Sequence, residues 1–336
     1  MMKTRIALIA AFGILLTSCA NGENPLPESS EKSVSQYDQI ETKAVEEISS
    51  LSNSGTEVPQ NFKIYADPKI DKTLVDTQMA AINSETKLLS DFKPKKVTLL
   101  FWLNSTSEQI EWAQNIYEKI KGNYNKNSKL IDGTGSGCSN AGASDFKSGT
   151  SHNYFISVCS GFNATADFRI MHEYYHLYQY SHNVPGSAPS WVTEGSADFI
   201  GQVLGLRLKD ETLFRKHRRD IADVSNGTKL TMLYRDMTQQ DFVSLMKTQE
   251  SVQANARISY YVGSLATEYL IGKYGYEKWD NFIKTYSLSD LQNAGDSFQK
   301  KVFSEKFLEV FGLEPSAFYI ELYPYFKEMT AKYSKI

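Results

Sequence analysis

From Ile170 to Tyr178 the chain carries no charged residue apart from Glu173 and the two histidines His172 and His176. A helix on a protein surface shows lysines or glutamates on its wet side. This composition therefore predicts a helix buried between two layers, with one polar face turned to an internal cleft. Four-residue spacing puts His172 and His176 on that face one turn apart, so both imidazoles reach a single cation. Zinc accepts neutral imidazole nitrogens at about 2.0–2.1 Å in tetrahedral geometry, and a catalytic site leaves one position to water. Glu173, beside the first histidine, is placed to serve as a base toward that water. The pattern predicts an aromatic-rich helix from about Ala166 to His182.

Two histidines do not complete such a site, and Glu194 stands eighteen residues after His176 in the segment Trp191-Val-Thr-Glu194-Gly195-Ser-Ala197-Asp198. The Pro/Gly loop Ser181 to Pro189 precedes it, and a helix is predicted to begin near Ser190. At 1.5 Å per residue the first helix rises roughly 9 Å from His176 to His182, and the second descends roughly 6 Å to Glu194, returning it to the level of the histidines. Gly195, Ser196 and Ala197 are small enough to let the two helices approach closely. Asp198, one turn on, is placed to orient a ligand histidine. The expected cofactor is one zinc ion per chain. His152, His182 and His217 are left outside the site as ordinary loop or helix residues.

H-E-x-x-H followed by W-x-x-E-G-x-A-D resembles the gluzincins, the clan of thermolysin-like and aminopeptidase-like zinc peptidases, over roughly Phe62 to Tyr286. The resemblance implies His172, His176 and Glu194 as zinc ligands, Glu173 as general base and Asp198 as partner of a ligand histidine. It also implies an α+β, zincin-like fold: a small mixed lobe whose edge strand lies above the metal helix, then a helical lobe closing the cleft. Tyr260-Tyr261-Val262-Gly263-Ser264 is similar to the Tyr-x-x-Gly-Ala segment in which a tyrosine hydroxyl stabilises the oxyanion, which implies that role for Tyr260. No Gly-x-Met-Glu-Asn segment is present, so an endopeptidase or a narrow substrate is expected rather than an aminopeptidase. The implied reaction is hydrolysis of a peptide bond. The peptide or protein substrate would add to an edge strand, for which Tyr154 to Val158 is the expected one.

The N-terminus has a cationic start (Lys3, Arg5), an apolar run from Ile6 to Leu16 too short to span a bilayer, and then Thr17-Ser18-Cys19. Leu16-Thr17-Ser18-Cys19 resembles the lipobox of bacterial lipoproteins, which implies cleavage after residue 18 and a membrane anchor of acyl chains on Cys19. The expected location is the bacterial envelope, at the outer membrane. Losing residues 1–18 removes two bases and no acid, which moves the formal net charge from −3 to −5 and argues against nucleic acid as a partner. Three cysteines less Cys19 leave Cys138 and Cys159, predicted to pair in an oxidising compartment and to stabilise by about 3 kcal/mol in the chain-entropy model.

Residues 19–60, rich in Ser, Glu, Asn and Pro, are expected to form a flexible tether with at most a weak helix around Val34 to Leu51. Residues 61–336 are expected to form the catalytic domain, divided into an α/β lobe (61–188) and a helical lobe (189–336). Strands are predicted at Asn61–Ala66, Lys96–Leu103 and Tyr154–Cys159, and helices at Ile70–Phe92 and Ser105–Lys121, the latter with Ser107 as a cap. Asp132 to Asn140 reads as a loop that lacks the Lys-Ser/Thr ending of a phosphate-cradling glycine loop. Further helices are predicted near Ser190–Leu208, Glu211–Val224, Thr238–Lys247, Ala256–Tyr274, Tyr276–Tyr286 and Ser297–Met329. Beside the peptidase stand two other readings: a zinc-binding but non-catalytic envelope lipoprotein that recognises peptides or a partner, and a metal-free structural protein.

Overall fold

The structure, a computed structural model, describes residues 35–334 apart from 59, 122–140, 149–150, 160–165, 185, 208–209, 225–233, 235, 253 and 287–294. The expected export signal (1–18), Cys19, most of the segment expected to be a tether, the glycine loop and Cys138 lie outside the described residues, as does the side chain of His152.

Three strands, β1 (Phe62–Ala66), β2 (Val97–Trp102) and β4 (Ser151–Cys159), pair in parallel, and β3 (Ala141–Ser148) runs antiparallel to β4 in the order β1-β2-β4-β3. The central strand β2 is buried at every position because both faces of the sheet are covered. Val97, Leu99, Phe101, Ile156 and Val158 join the main core beneath α2 (Lys72–Leu88) and α4 (Ala166–Ser181). Leu100, Trp102, Phe155 and Cys159 point the other way and pack on Ala113 and Tyr117 of α3 (Ser107–Lys121). The cap of α3 is Thr106 rather than Ser107: its hydroxyl accepts from the Gln109 amide at 3.4 Å, one residue ahead of the expected position.

Two expectations are corrected here. Tyr154 to Val158 lies in β4, which has β2 on one side and β3 on the other, so it is not an edge. The edge on that side of the sheet is β3, whose Ala-Gly-Ala-Ser start has too little apolar alternation to read as a strand; β1 is the opposite edge. Residues 36–54, assigned to a flexible tether with a weak helix around Val34 to Leu51, do form a helix, α1 (Gln36–Ser54), capped by the Ser35 hydroxyl, but it is packed into the fold. Ala44, Val45 and Ile48 of α1 are buried in the main core. A Cβ on Gly272 would come within 2.3 Å of the Ile40 carbonyl oxygen, so α1 lies directly against a helix of the C-terminal lobe. Its polar surface residues outweigh a narrow apolar stripe, and the composition therefore resembles a linker.

After α4 the chain is helical throughout the described residues: α5 (Ser190–Gln202) with a π-helical continuation at Val203–Arg207, α6 (Glu211–Val224), α7 (Gln239–Thr248), α8 (Ala256–Tyr274), α9 (Tyr276–Lys284), α10 (Asp296–Phe311) and α11 (Pro315–Tyr333). The stretch predicted from Ser297 to Met329 is two helices, because Gly312 adopts φ 76° at the end of α10 and Pro315 starts α11. The architecture is thus a small four-stranded sheet with helices on both faces, followed by a helical region, an α+β arrangement. No described helix is long and apolar enough to cross a membrane. Cys159 is disulfide-bonded.

Candidate metal centre

The helix α4 is held from all sides. Tyr174 packs edge-on against Phe92 at 5.7 Å between ring centroids, Tyr178 against Phe92 at 6.0 Å, and the Trp279 indole donates to the Tyr175 hydroxyl at 3.1 Å. Residues 170–179 are buried without interruption, as the absence of surface charge predicted.

Trp191 pins the start of α5 by sitting among Phe303, Phe307, Phe318 and Tyr319, with its indole donating to the Tyr319 hydroxyl at 3.2 Å. The amides of Ser190 and Trp191, which open the helix without a side-chain cap, donate instead to the carbonyls of Ser251 and Gln249. Gly195 works differently from the expectation. A Cβ there would come within 2.3 Å of the Gly263 Cα on α8, so the pair Gly195/Gly263 brings α5 onto α8 rather than onto α4. Closeness to α4 comes from Gly201 and Gly205: a Cβ on either would meet Phe168 backbone atoms at 2.8 and 2.6 Å. Gly195→Ala is therefore expected to cost about 3 kcal/mol, the upper end of overpacking because both sides are backbone. Glu194 would shift with its helix, so calorimetry should show a lower Tm and zinc titration a weaker affinity than in the unmodified protein. A wild-type Tm would contradict the packing assigned to this pair.

These helices bring His172, His176 and Glu194 together. The two histidine Nε2 atoms are 3.0 Å apart, and Glu194 Oε2 lies 3.5 Å from one and 3.4 Å from the other. For metal–ligand bonds of about 2.0–2.1 Å, a tetrahedron has edges of roughly 3.3 Å. The three donors thus have the spacing of three corners of a metal tetrahedron, and Glu194 is the least buried of them.

Of the two histidines, only His176 has a hydrogen-bond partner on its outer ring nitrogen among the described residues. His176 Nδ1 donates to Gln179 Oε1 at 2.7 Å, which leaves its Nε2 free of a proton when the ring is neutral, and the Gln179 amide donates to Thr193 O and Ser196 Oγ, both at 2.9 Å. Sequence reading missed Gln179, although its spacing of three residues from His176 on a helix places it next to that ring. Asp198 stands 4.0 Å from His172 Nδ1, on the expected side of the ring and a little beyond hydrogen-bond length. The Gln202 amide donates to Asp198, and Gln202 Oε1 accepts from Arg218 Nε at 2.8 Å. Of the histidines left out, His182 packs on Tyr178 at 4.8 Å, and His217 lies 3.9 Å from Asp198, behind the cluster rather than in it.

Glu173 is buried beside the ligands, and burial pushes its carboxyl above the usual carboxylate range, against the pull of His172 and His176 and of the Ala143 amide that donates to it from β3. Burial likewise keeps the Tyr260 hydroxyl well above an ordinary phenol, reinforced by the carboxylates of Glu194, Glu173 and Asp198; it donates to Glu194. Its ring lies 5.6 Å from that of His172.

For His176, burial opposes the charged ring, but the Glu194 carboxylate overcomes it and raises the pKa to about 9. The metal-free protein therefore holds a proton on His176 below about pH 9, and a cation must displace it. Apparent zinc affinity is expected to rise about tenfold per pH unit up to that value. Competition with a chelator across this range checks the slope, and a flat profile would contradict the assignment.

Compared with protein-family models, curated proteins and solved structures, the chain matches none.

Proposed function

We propose that this chain is a zinc metallopeptidase of gluzincin type, lipid-anchored through Cys19 in a bacterial envelope. The observation that supports this reading most is the convergence of His172, His176 and Glu194 at tetrahedral spacing, with Glu173 buried next to them. His172, His176 and Glu194 would hold the ion, which when bound supplies Lewis acidity and brings the pKa of a water toward about 7. Glu173 takes a proton from the attacking water and delivers it to the leaving amine; burial, by raising its pKa, suits it to both halves of that task. Tyr260 keeps its proton at neutral pH and donates a hydrogen bond to the developing oxyanion. Gln179 holds the His176 imidazole in place, and Asp198, 4.0 Å from His172 Nδ1, is the carboxylate placed to orient the other ring.

The substrate strand pairs with β3, the edge that touches Glu173 at Ala143, and so passes over the face of α4 that bears the histidines. Hydrolysis of a mixed peptide library, followed by mass spectrometry, tests the reading. Cleavage lost on chelation and restored by zinc is the expected result; a zinc-loaded protein that cleaves nothing would overturn it in favour of a non-catalytic zinc lipoprotein.

A further inference from the structure

The face of the sheet turned toward α3 changes character along its length. At the C-terminal ends of the strands it is apolar and covered by α3. At their N-terminal ends the same face carries Lys63 and Tyr65 from β1, Lys96 and Thr98 from the start of β2 and Asn153 from β4, since strand positions two apart share a face. The α3 helix runs back along β2, so its last turn brings Lys119 to the same place. These residues line one concavity.

No acidic residue is among those lining it, and Lys63, Lys96 and Lys119 have no ion-pair partner among the described residues. The Lys63 ammonium lies over the Tyr65 ring at 4.9 Å, which holds it at the rim. Thr98, which is buried, and Asn153 also line the concavity. Three like charges converging on a polar hollow repel one another, in a chain whose formal net charge is −3. The carboxyl end of α3 contributes only about half a negative charge there, far less than the three lysines.

We propose that this concavity is a binding site for a phosphate-class oxyanion, held by Lys63, Lys96 and Lys119 with a hydrogen bond from Thr98. The site is separate from the metal centre, lying across the sheet from α4, and does not depend on the function proposed for it. Phosphate reaches it either as a free ion or ester, or as the headgroup of an anionic phospholipid.

The test uses the full chain with Cys19→Ser, so that no acyl chain contributes, beside the triple variant Lys63→Gln/Lys96→Gln/Lys119→Gln. Inorganic phosphate and glycerol phosphate are titrated calorimetrically at constant ionic strength, and sedimentation is measured with vesicles of neutral lipid and of neutral lipid containing phosphatidylglycerol. Saturable binding of the soluble phosphates, weakened about tenfold or more in the triple variant, supports the site with a free ligand. Binding only to the phosphatidylglycerol vesicles, lost in the triple variant, supports the same site with a lipid headgroup. No binding in either arm, or binding that the triple variant retains, overturns the proposal; zinc content and Tm of the variant equal to those of the parent show that the fold is intact.

Discussion

Replacing Glu173 with Gln is expected to lower kcat on any cleaved peptide by about 10²–10⁴-fold while leaving zinc stoichiometry unchanged. The amide keeps the size and the contact with the Ala143 N–H but cannot accept the proton. Stability should not suffer. Burial raises the folded-state pKa of Glu173, so in the metal-free protein its ionised form opposes folding at every pH above the ordinary carboxylate value, and the neutral amide removes that penalty. A metal-free variant with the parent's Tm or a higher one at pH 7, full zinc content and no turnover is the expected combination. Retained activity would exclude Glu173 as the base, and lost zinc would mean that the substitution had disturbed the ligands.

The largest effect on stability is expected away from the ligands, at Arg218. Its guanidinium is fully buried and donates to both oxygens of the equally buried Glu268, at 3.0 and 2.8 Å, and the same carboxylate accepts from the Tyr325 hydroxyl. Arg218→Met strands Glu268 without its counter-charge, at a cost of about 3–5 kcal/mol. At about 2–4 °C per kcal/mol this lowers Tm by roughly 6–20 °C. Replacing both partners, as Arg218→Met/Glu268→Leu, should recover much of the loss, because a well-packed apolar pair carries no desolvation penalty. Calorimetry of the two single and the double variants decides it; strictly additive losses would mean that the pair is not coupled. Since Arg218 also holds Gln202, and through it Asp198, the single variant should bind zinc more weakly as well.

The metal cluster was legible because its signal is local. Spacing on two helices, an uncharged run and small residues after Glu194 all concern neighbours in sequence, and His172, His176 and Glu194 converge accordingly. The partners behind the ligands were less legible. Asp198 follows from the resemblance, but Gln202 and Arg218 are polar residues whose burial depends on α8 packing against α5 and on α6 packing against α8 and the π-helical turn after α5, and nothing in their local pattern announces it.

The strands were read where β-branched and aromatic residues repeat, in β1, β2 and β4, and missed in β3. That strand is specified by its pairing with β4, from Ala141 opposite Val158 to Ser148 opposite Ser151, rather than by its own side chains. The error moved the edge by one strand. For α1 the weak helical pattern was legible, but a polar composition hid that the stripe of Ala44, Val45 and Ile48 is packed into the core, and the close approach of Ile40 to Gly272 is a tertiary fact that no local pattern carries. Gly195 was read correctly as a site of close approach but assigned to the wrong neighbour, since smallness marks a contact without naming the partner.

The most direct test of the central claim is metal content by elemental analysis of the purified chain, with His176→Ala alongside. About one zinc per chain in the unmodified protein, lost in the variant, is what the geometry of His172, His176 and Glu194 predicts. No zinc in either after incubation with the ion, or equal zinc in both, would contradict it.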